Sequence, residues 1–564
     1  MDPTKRHPVS GVVVLLVDRG DTAVARALSN ERGEFRLVAP TAGSYLVRTL
    51  RIGFRPATSD LLQLANGQEL TRDIDVSSIP FVLDTVKIVA RNACGVRSGP
   101  DVASAIWEQA RTALLAAQIT ARLRSIHASL VAYERVYDPG SSRIREQHSS
   151  IRSGLTTAAW KSLPADSLRR IGYVVENAQG WTTYYSPDVD VLLSPTFQID
   201  HCFHFASAPG ESLIGLVFEP ARDRGRLPEI KGTLWLDAKT SELRRMEHRY
   251  VNVSAAQEDG GAGGQMEFVR MANGGFAISR WNIRMPAIQL RATGFRGLIG
   301  SASSPQPRVA EIRVAGGELI AVTLRGDTLW SRQPLVLAGT VTDSASGERI
   351  ADARVAVSGT TLRGVTDARG RFAIPGVLPG EYTVEVQTPS LDSINAVHPS
   401  NALFTDATKP LELRVPRASD LRPTLCAGDS AMKRASPRGI VIGSVFLRGD
   451  SAPLRNVMLV AEWIDWAIRR EGAVEVVEQR TTRRETRTDA RGGFRLCGVP
   501  LNTAITITPE TDSVEATPVQ VRIPPDHWFA RTQLLLNSKP NVRPSGTTAT
   551  RDPSAAVGPG AVQP

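Results

Sequence analysis

The chain has 564 residues, of which 22% are charged and 42% hydrophobic, a composition ordinary for a globular protein of several domains. The 67 Lys and Arg residues against 57 Asp and Glu residues give a formal net charge of +10. The arginines are scattered and no nucleic-acid-binding motif accompanies them, so we expect no nucleic acid partner. No segment reaches the ~18 to 20 consecutive apolar residues of a membrane-spanning helix, so the sequence predicts no transmembrane helix.

The first predicted element is a β-hairpin turn whose pattern occurs again twice. The pattern consists of a small or polar pair, two further residues and then Gly-x-Phe. Its three copies are Ser29 to Phe35, Thr366 to Phe372 and Thr488 to Phe494. Each pattern lies between two β-type runs. This predicts a turn held by an Asp or Asn side chain, with a glycine at positive φ, followed by an inward-facing aromatic. The residues that define the three turns are Gly33, Phe35, Asp367, Gly370, Phe372, Asp489, Gly492 and Phe494. The chain therefore contains an internal repeat of a small all-β module.

The region between the first two copies has a different character. Asp101 to Arg124 carries Ile, Ala and Leu at helical spacing, and it is the strongest helix prediction in the chain. Short alternating runs follow, which predict a large antiparallel sheet. Alternation does not distinguish a sheet with a packed interior from an open half-barrel that holds an acyl chain, so both interpretations stay open.

Aromatic and acidic residues of this middle region are candidates for a site. Trp181, Tyr184 and Tyr185 would suit a ligand-binding face, although aromatics on a sheet mostly pack in cores. Asp188, Asp190 and Asp200 come close in sequence to His201. The first two fit a solvated turn, and no nucleophile elbow, His-Glu-x-x-His helix or phosphate loop occurs in the sequence. We therefore predict no catalytic residue, no metal site and no cofactor.

The four cysteines fall into two pairs by segment, Cys94 with Cys202 and Cys426 with Cys497. An even count divided between two domains predicts one disulfide bond in each, which requires an oxidising compartment. Four reduced, buried thiols are the alternative. A metal site at His201 to His204 lacks a second Cys or His pair at zinc spacing.

The second and third copies share a first strand that the first copy lacks. Both open on Gly-x-Val, at Gly339 and Gly443, and the same number of residues leads from there to Val355 and Leu459. Val14 matches these two positions in the first copy, so its opening glycine would lie upstream of Met1. We expect that the first module lacks its first strand because of an internal start or a clipped gene, and that a signal peptide was lost with it.

The third copy contains an insertion between Leu459 and Gly492. It holds Trp463, Trp466 and the basic stretch Arg480 to Arg487, and it predicts a hairpin that extends beyond the module. Loops that extend from a rigid β scaffold often carry binding residues. A solvated, charged hairpin without a ligand is the alternative.

The combined pattern resembles a known family. The pattern starts with Gly-x-Val and a small-residue turn and continues with Thr-Asp-x-x-Gly-x-Phe. It ends at Gly376 to Tyr382, which reads Gly-Val-x-Pro-Gly-x-Tyr. This order of motifs is similar to that of the carboxypeptidase regulatory-domain-like family. The resemblance implies a transthyretin-like β-sandwich and a protein of the bacterial cell envelope, with Leu83 to Val89 as a closing strand. Zinc carboxypeptidases need His-x-x-Glu, and none of the eight histidines has Glu three residues later, so peptidase activity is not implied.

These observations predict a mainly β protein with three transthyretin-like β-sandwich modules and a middle α+β domain, in which one long helix packs on an antiparallel, half-barrel or packed sheet. The expected domains are residues 1–92, 93–330, 334–418 and 424–537, followed by a disordered tail at 538–564 that has too few large apolar residues for a core. The expected function is that of a non-catalytic scaffold or binding protein, periplasmic, outer-membrane-associated or extracellular. Its expected partner is an envelope glycan or a protein, with carbohydrate as the first ligand to test. Carriage of a lipid or lipoprotein acyl chain in the middle sheet is the alternative, and hydrolysis is a remote one.

Overall fold

The computed structural model describes residues 7–54, 56–76, 93–94, 102–123, 125–177, 181–207, 212–291, 306–394, 396–406, 409–427, 438–448, 453–471, 474–510, 514–515 and 517–538. It divides into two compact units, Met1–Pro334 and Leu335–Gln563. The closing strand expected at Leu83 to Val89 and nearly all of the tail expected at 538–564 lie outside the described residues. No helix among the described residues is long and apolar enough to span a bilayer.

The first module forms one sheet. Its strands are β1 (Val13–Val17), β2 (Ala23–Leu28), β3 (Gly43–Leu50), β4 (Ala57–Thr58) and β5 (Leu62–Leu64). They are ordered β2-β1-β3-β4, and β5 also pairs with β3. Every residue of β1 is buried, because Val14 and Leu16 face the module's own core while Val13 and Leu15 face the core of the middle domain. Burial on both faces explains why this strand is a continuous apolar run.

The middle domain is a large antiparallel sheet with short helices. Ten of its strands follow the order β6-β11-β12-β13-β14-β15-β16-β17-β7-β8, β18 pairs with β17, and β9 and β10 form a separate pair. The elements in chain order are β6 (Ala93–Cys94), α1 (Val102–Ala121), β7 (Ile126–Tyr137), β8 (Ile144–Gly154), α2 (Ala165–Ile171), β9 (Val174–Glu176), β10 (Thr182–Tyr184), α3 (Val189–Leu192), α4 (Pro195–Asp200), β11 (His201–Ser207), β12 (Leu213–Pro220), β13 (Glu229–Asp237), β14 (Leu243–Val251), α5 (Ala255–Asp259), β15 (Gly263–Arg270), β16 (Phe276–Arg291), β17 (Gln306–Leu324) and β18 (Asp327–Ser331).

The predicted helix packs directly on this sheet. Helix α1 contacts β11, β12, β14 and β16, and its alanines at 110 and 113 are completely buried, which lets the helix approach closely. Ile106 and Leu114 are buried in the same apolar cluster as Phe218 and Met246 of the sheet. The Trp107 ring packs 5.3 Å from that of Phe203. The described residues between helix and sheet therefore form a packed interior.

The second unit contains two modules of one topology. The second module has β19 (Val336–Asp343), β20 (Arg354–Val357), β21 (Arg363–Val365), β22 (Arg371–Pro375), β23 (Gly380–Gln387), α6 (Pro389–Asp392), β24 (His398–Phe404) and β25 (Leu411–Val415). After α7 (Ala418–Leu425), the third has β26 (Arg438–Leu447), β27 (Met458–Glu471), β28 (Val474–Arg487), β29 (Gly493–Pro500), β30 (Ala504–Glu510), β31 (Val514–Glu515), β32 (Val519–Arg522) and β33 (Phe529–Ser538).

The pairing of strands shows the repeat. Strand β19 pairs antiparallel with β22 and parallel with β25, and β26 pairs in the same way with β29 and β33. The facing sheets are ordered β21-β20-β23-β24 and β28-β27-β30-β32. The first module's β2-β1-β3-β4 is the counterpart of these facing sheets.

The repeated turn has the geometry that the sequence predicts. The side-chain oxygen of Asp367 accepts hydrogen bonds from the backbone N–H groups of Arg369 and Arg371, both at 2.9 Å. Asn30 and Asp489 accept the equivalent bonds in the other copies. Gly33, Gly370 and Gly492 all have positive φ, between 67° and 74°, which favours glycine at this position.

The hydroxyl residue before each turn joins it to the second strand. Thr366 Oγ1 accepts from Ala353 N and donates to Ile350 O, each at 2.8 Å. Thr488 and Ser29 make the same two bonds in the other copies, with Leu454 O and Val9 O as the acceptors. These bonds confirm the alignment of the three copies, including that of Val9 in the first.

The aromatic after the turn packs differently in the first module. Phe372 and Phe494 are buried, and each lies opposite the glycine of Gly-x-Val, Gly339 and Gly443. A Cβ on either glycine would come within 2.8 Å of the ring, which explains why the two motifs occur together. Phe35 is only partly buried, residues 34–40 belong to no strand, and no described residue of the first module takes the place of β19.

Candidate binding surface on the third module

The insertion of the third copy forms the predicted hairpin. Strands β27 and β28 pair without a register shift over their whole length, with Trp466 opposite Gln479 and Ile464 opposite Thr481. Strand β30 extends the same sheet, with Thr506 opposite Glu462. Successive residues of a strand point to opposite faces, so the hairpin has one face toward the module core and one away from it.

The outward side chains form a surface that we call the hairpin face. Trp466 is 67% exposed and Ile464 is 42% exposed. The side chains opposite and beside these two residues are polar and exposed. The two apolar side chains are therefore surrounded by groups that can form hydrogen bonds. The hairpin face consists of Glu462, Ile464, Trp466, Gln479, Thr481 and Arg483.

The inward side chains attach the hairpin to the module. Trp463 is 3% exposed and belongs to the core cluster of this module, so it does not lie on a binding surface as expected. Trp463 and Trp466 are three residues apart, and the two-residue period of a strand requires them to face opposite ways. Asp465 accepts a bond from Thr482 Oγ1 at 3.1 Å and lies 3.5 Å from Arg438 Nη1. The hairpin face is therefore held on a supported sheet.

Most of the basic stretch is used within the module. Arg483 pairs with Glu485 at 3.1 Å and with Glu510 at 3.4 Å. Arg484 donates to Cys497 O at 3.3 Å, and Arg487 donates to Asn456 O at 3.4 Å. Three of the arginines of the stretch are therefore engaged by groups of the same module.

Disulfide bonds occur in both units. Cys426, which caps α7, is bonded to Cys497 on β29, with their Cα atoms 6.0 Å apart. Cys202 is also disulfide-bonded, and its backbone lies opposite Cys94 in the β6–β11 register. No free cysteine is found among the described residues.

The aromatics of the middle domain do not form one platform. Trp181 is 69% exposed, but Tyr184 is buried, and Tyr185 packs partly against the core. The Tyr184 hydroxyl donates to Pro286 O at 2.9 Å, and burial raises its pKa. Tyr184 is therefore a core residue, contrary to the expectation of a binding role.

The acidic residues near His201 do not converge. Asp188 caps α3 by accepting from Val191 N at 2.9 Å, and Asp190 accepts from Gln118 Nε2. Asp200 is buried beside Arg169, and burial raises its pKa. His201 is buried with its Nδ1 2.9 Å from Phe197 O, and burial lowers its pKa to about 4. This arrangement offers no acid–base pair in contact with solvent.

A buried ion pair that the sequence analysis did not identify lies close to these groups. Arg224 bonds to Glu229 and donates to Arg169 O at 2.7 Å. Both side chains are buried, so the pair has a structural role in joining α2 to β13. No group of His, Cys, Asp and Glu among the described residues has metal-binding geometry.

The model of the family described as carboxypeptidase regulatory-like domain matches residues 1–77 and 336–413. These segments are the first module and most of the second. The third module lies outside the matched segments but shares the strand pairing of the second. The family is a non-catalytic type of domain, and the mainly β fold agrees with the sequence prediction.

Solved structures with local similarity belong to different classes of protein. A streptococcal ancillary pilin is 12% identical, with 50% of this chain and 81% of that chain covered and a TM-score of 0.15. The shaft pilin SpaA from Lactobacillus rhamnosus GG is 10% identical, with 37% and 99% covered and a TM-score of 0.14. The 3-chlorocatechol 1,2-dioxygenase from Rhodococcus opacus 1CP is 15% identical, with 19% of this chain and 61% of that chain covered and a TM-score of 0.15. TM-scores of this size indicate no shared overall arrangement. A comparison with curated proteins gave no match.

Proposed function

We propose that this chain, which carries two carboxypeptidase regulatory-like domains, is a non-catalytic scaffold and binding protein of the bacterial cell envelope, and that its hairpin face binds carbohydrate. The observation that carries this proposal is Trp466, a large aromatic that is 67% exposed on a supported sheet. Thr481 and Gln479 lie beside it on the facing strand.

The chemistry of this surface fits a sugar ring. A pyranose presents C–H groups on its faces and hydroxyl groups at its edge, so it can stack on an aromatic ring while its hydroxyls bind polar neighbours. The Trp466 ring supplies the apolar contact, and the hydroxyl of Thr481 and the amide of Gln479 supply donors and acceptors. Arg483 and Glu462 extend the polar edge along the hairpin face. Exposed aromatic side chains with a polar border commonly mark interaction sites.

The packed interior of the middle domain gives the acyl-carrier alternative no support. The core-facing side chains of α1 are buried directly against the sheet. One cavity beside α1 has a volume of about 120 Å³, well below the ~300 to 1,000 Å³ of typical ligand pockets.

The disulfide bonds support the proposed compartment. Bonds at Cys426–Cys497 and at Cys202 are typical of proteins in oxidising compartments. We therefore propose that the protein works in the periplasm, at the outer membrane or outside the cell, where envelope glycans are available as ligands. A protein partner on the same face is the competing possibility.

A glycan array with the full chain tests the proposal, followed by sedimentation with purified peptidoglycan. The variant Trp466→Ala should lose binding to every glycan that the wild type retains. Trp181→Ala is the matched control, because Trp181 is equally exposed but lies in the other unit. Binding that Trp466→Ala leaves unchanged would remove the hairpin face from the proposal, and a wild type that binds no glycan would contradict carbohydrate binding altogether.

A further inference from the structure

A small cavity lies where the first module meets the middle domain within the first unit. Its volume is about 120 Å³, which leaves room for several water molecules or a small ion. Arg51 reaches it from the segment after β3, Thr112 from α1, Thr240 and Glu242 from the β13–β14 turn, and Arg270 from the end of β15. Groups from both domains therefore line one partly open pocket.

The charges around the cavity do not balance. Glu242 pairs with Arg270 at 3.1 Å and with Arg244 at 3.4 Å. Arg244 also pairs with Asp237 at 3.3 Å. Arg51 makes no ion pair with any described residue, and its guanidinium lies 4.4 Å from the centre of the Phe54 ring. Among these described charged groups, Arg51 is the one without an anionic partner.

The local backbone holds Arg51 in place. Phe54 N donates to Arg51 O at 3.0 Å, which closes a tight turn. Gly53 N donates to Gln109 Oε1 on α1 at 3.1 Å. The turn is therefore fixed to the helix, and Arg51 does not need to be ordered when a ligand binds.

The environment of Arg51 is unfavourable for a cation without a ligand. Burial and the nearby charge of Arg270 lower the pKa of Arg51 to about 10, so the group still carries its charge at neutral pH. Removing a charge from water costs free energy unless a partner compensates it. An anion between the two arginines would supply that compensation.

We propose that this cavity binds a small oxyanion, the carboxylate or phosphate group of a ligand, between Arg51 and Arg270. The planar guanidinium can donate two parallel hydrogen bonds to two oxygens of such a group. Because the site draws on the first module and the middle domain, the bound anion joins them. It stabilises the first unit by an amount that grows with the logarithm of the anion concentration once this exceeds the dissociation constant. This site is separate from the hairpin face and does not depend on carbohydrate binding.

Calorimetric titration of the full chain with inorganic phosphate and, separately, with acetate tests the site. The wild type should bind at least one of them saturably below about 10 mM. Saturation by phosphate alone would assign a phosphoryl ligand, and saturation by acetate alone would assign a carboxylate. Arg51→Gln should weaken the affinity at least tenfold. Arg249→Gln, an exposed arginine on β14 of the same unit, should leave it unchanged.

A second variant distinguishes a loss of anion binding from a loss of folding. Arg51→Lys keeps the charge and stem but removes the paired donors, so it should fold and bind several-fold more weakly. The proposal is overturned if neither anion binds the wild type up to about 10 mM. It is equally overturned if the two Arg51 variants fold and bind as the wild type does.

Discussion

Gly11 and Gly274 touch backbone to backbone between the first module and the β15–β16 turn. A Cβ added to Gly11 would lie 2.6 Å from the Cα of Gly274, and a Cβ added to Gly274 would lie 2.5 Å from the Cα of Gly11. Both residues have positive φ. In the other copies the position of Gly11 is taken by Asp352 and Asn456, also at positive φ. Glycine is therefore required in the first copy by the contact, and not by the backbone conformation alone.

The variant Gly11→Asn separates these two causes. Asparagine suits positive φ, as Asn456 shows, but its Cβ would collide with Gly274. We expect the first unit to lose about 1 to 3 kcal/mol of stability, the range of an overpacked contact, measured by thermal unfolding. Asp352→Asn is the matched control and should change stability by less than about 0.5 kcal/mol. Equal effects of the two variants would show that the glycine contact is unimportant.

The buried hydroxyl before the repeated turn should contribute measurable stability. Thr366→Val keeps the shape of the side chain but removes both bonds of Oγ1, to Ala353 N and Ile350 O. We expect a loss of about 1 to 3 kcal/mol, the cost of buried polar groups without partners, in urea unfolding of the full chain. Thr361→Val, at an exposed position, should be nearly neutral. A Thr366→Val protein as stable as the wild type would contradict the role of the hydroxyl.

The Cys426–Cys497 bond closes a loop with a sequence separation of 71. Replacing both residues with alanine should cost about 2 to 4 kcal/mol, mainly by releasing the unfolded chain. Peptide mapping without reductant should recover the two cysteines in one cross-linked peptide. Recovery of both as separate alkylated peptides from natively purified protein would contradict the bond and, with it, an oxidising compartment.

Acid should destabilise the protein through His248. Burial lowers the pKa of His248 to about 3 in the folded protein, whereas an unfolded histidine titrates near ~6.5. Between these values the unfolded chain binds the additional proton. The free energy of unfolding therefore falls as the pH drops below about 6.5, by up to about 1.4 kcal/mol per pH unit.

The variant His248→Met should remove this contribution and reduce the slope of urea unfolding stability against pH between pH 6 and about 4. The slope that remains comes from His201, whose pKa burial also lowers. His127→Met, at an exposed position of the same sheet, should keep the wild-type slope. An unchanged slope in His248→Met would place the acid sensitivity elsewhere.

The local structure of the modules could be predicted from the sequence because its causes are local. The Asp367 side chain, the positive φ of Gly370 and the inward Phe372 act within a few residues, so one turn pattern identified three copies. The insertion and helix α1 were predicted for similar reasons, from register and from helical spacing.

The packing between elements could not be predicted in the same way. The alternation of apolar and polar residues did not indicate that α1 covers the outer side of β1. The apolar run Val12 to Val17 reflects burial on both faces, but it does not identify the element that covers each face. The cavity at Arg51 joins residues from five separate segments, and no sequence pattern connects them. For the tryptophans the period of a strand was informative, because it puts Trp463 and Trp466 on opposite faces. Which one faces the core depends on the register with β30.

The affinity of the full chain for peptidoglycan fragments tests the central claim most directly. Fluorescence or calorimetric titration should compare the wild type, Trp466→Ala and Trp181→Ala with the same fragment. We predict saturable binding by the wild type and by Trp181→Ala, and a loss of at least about 2 kcal/mol, near thirtyfold in affinity, for Trp466→Ala. Equal affinity of all three proteins, or no binding by the wild type, would contradict carbohydrate recognition at the hairpin face.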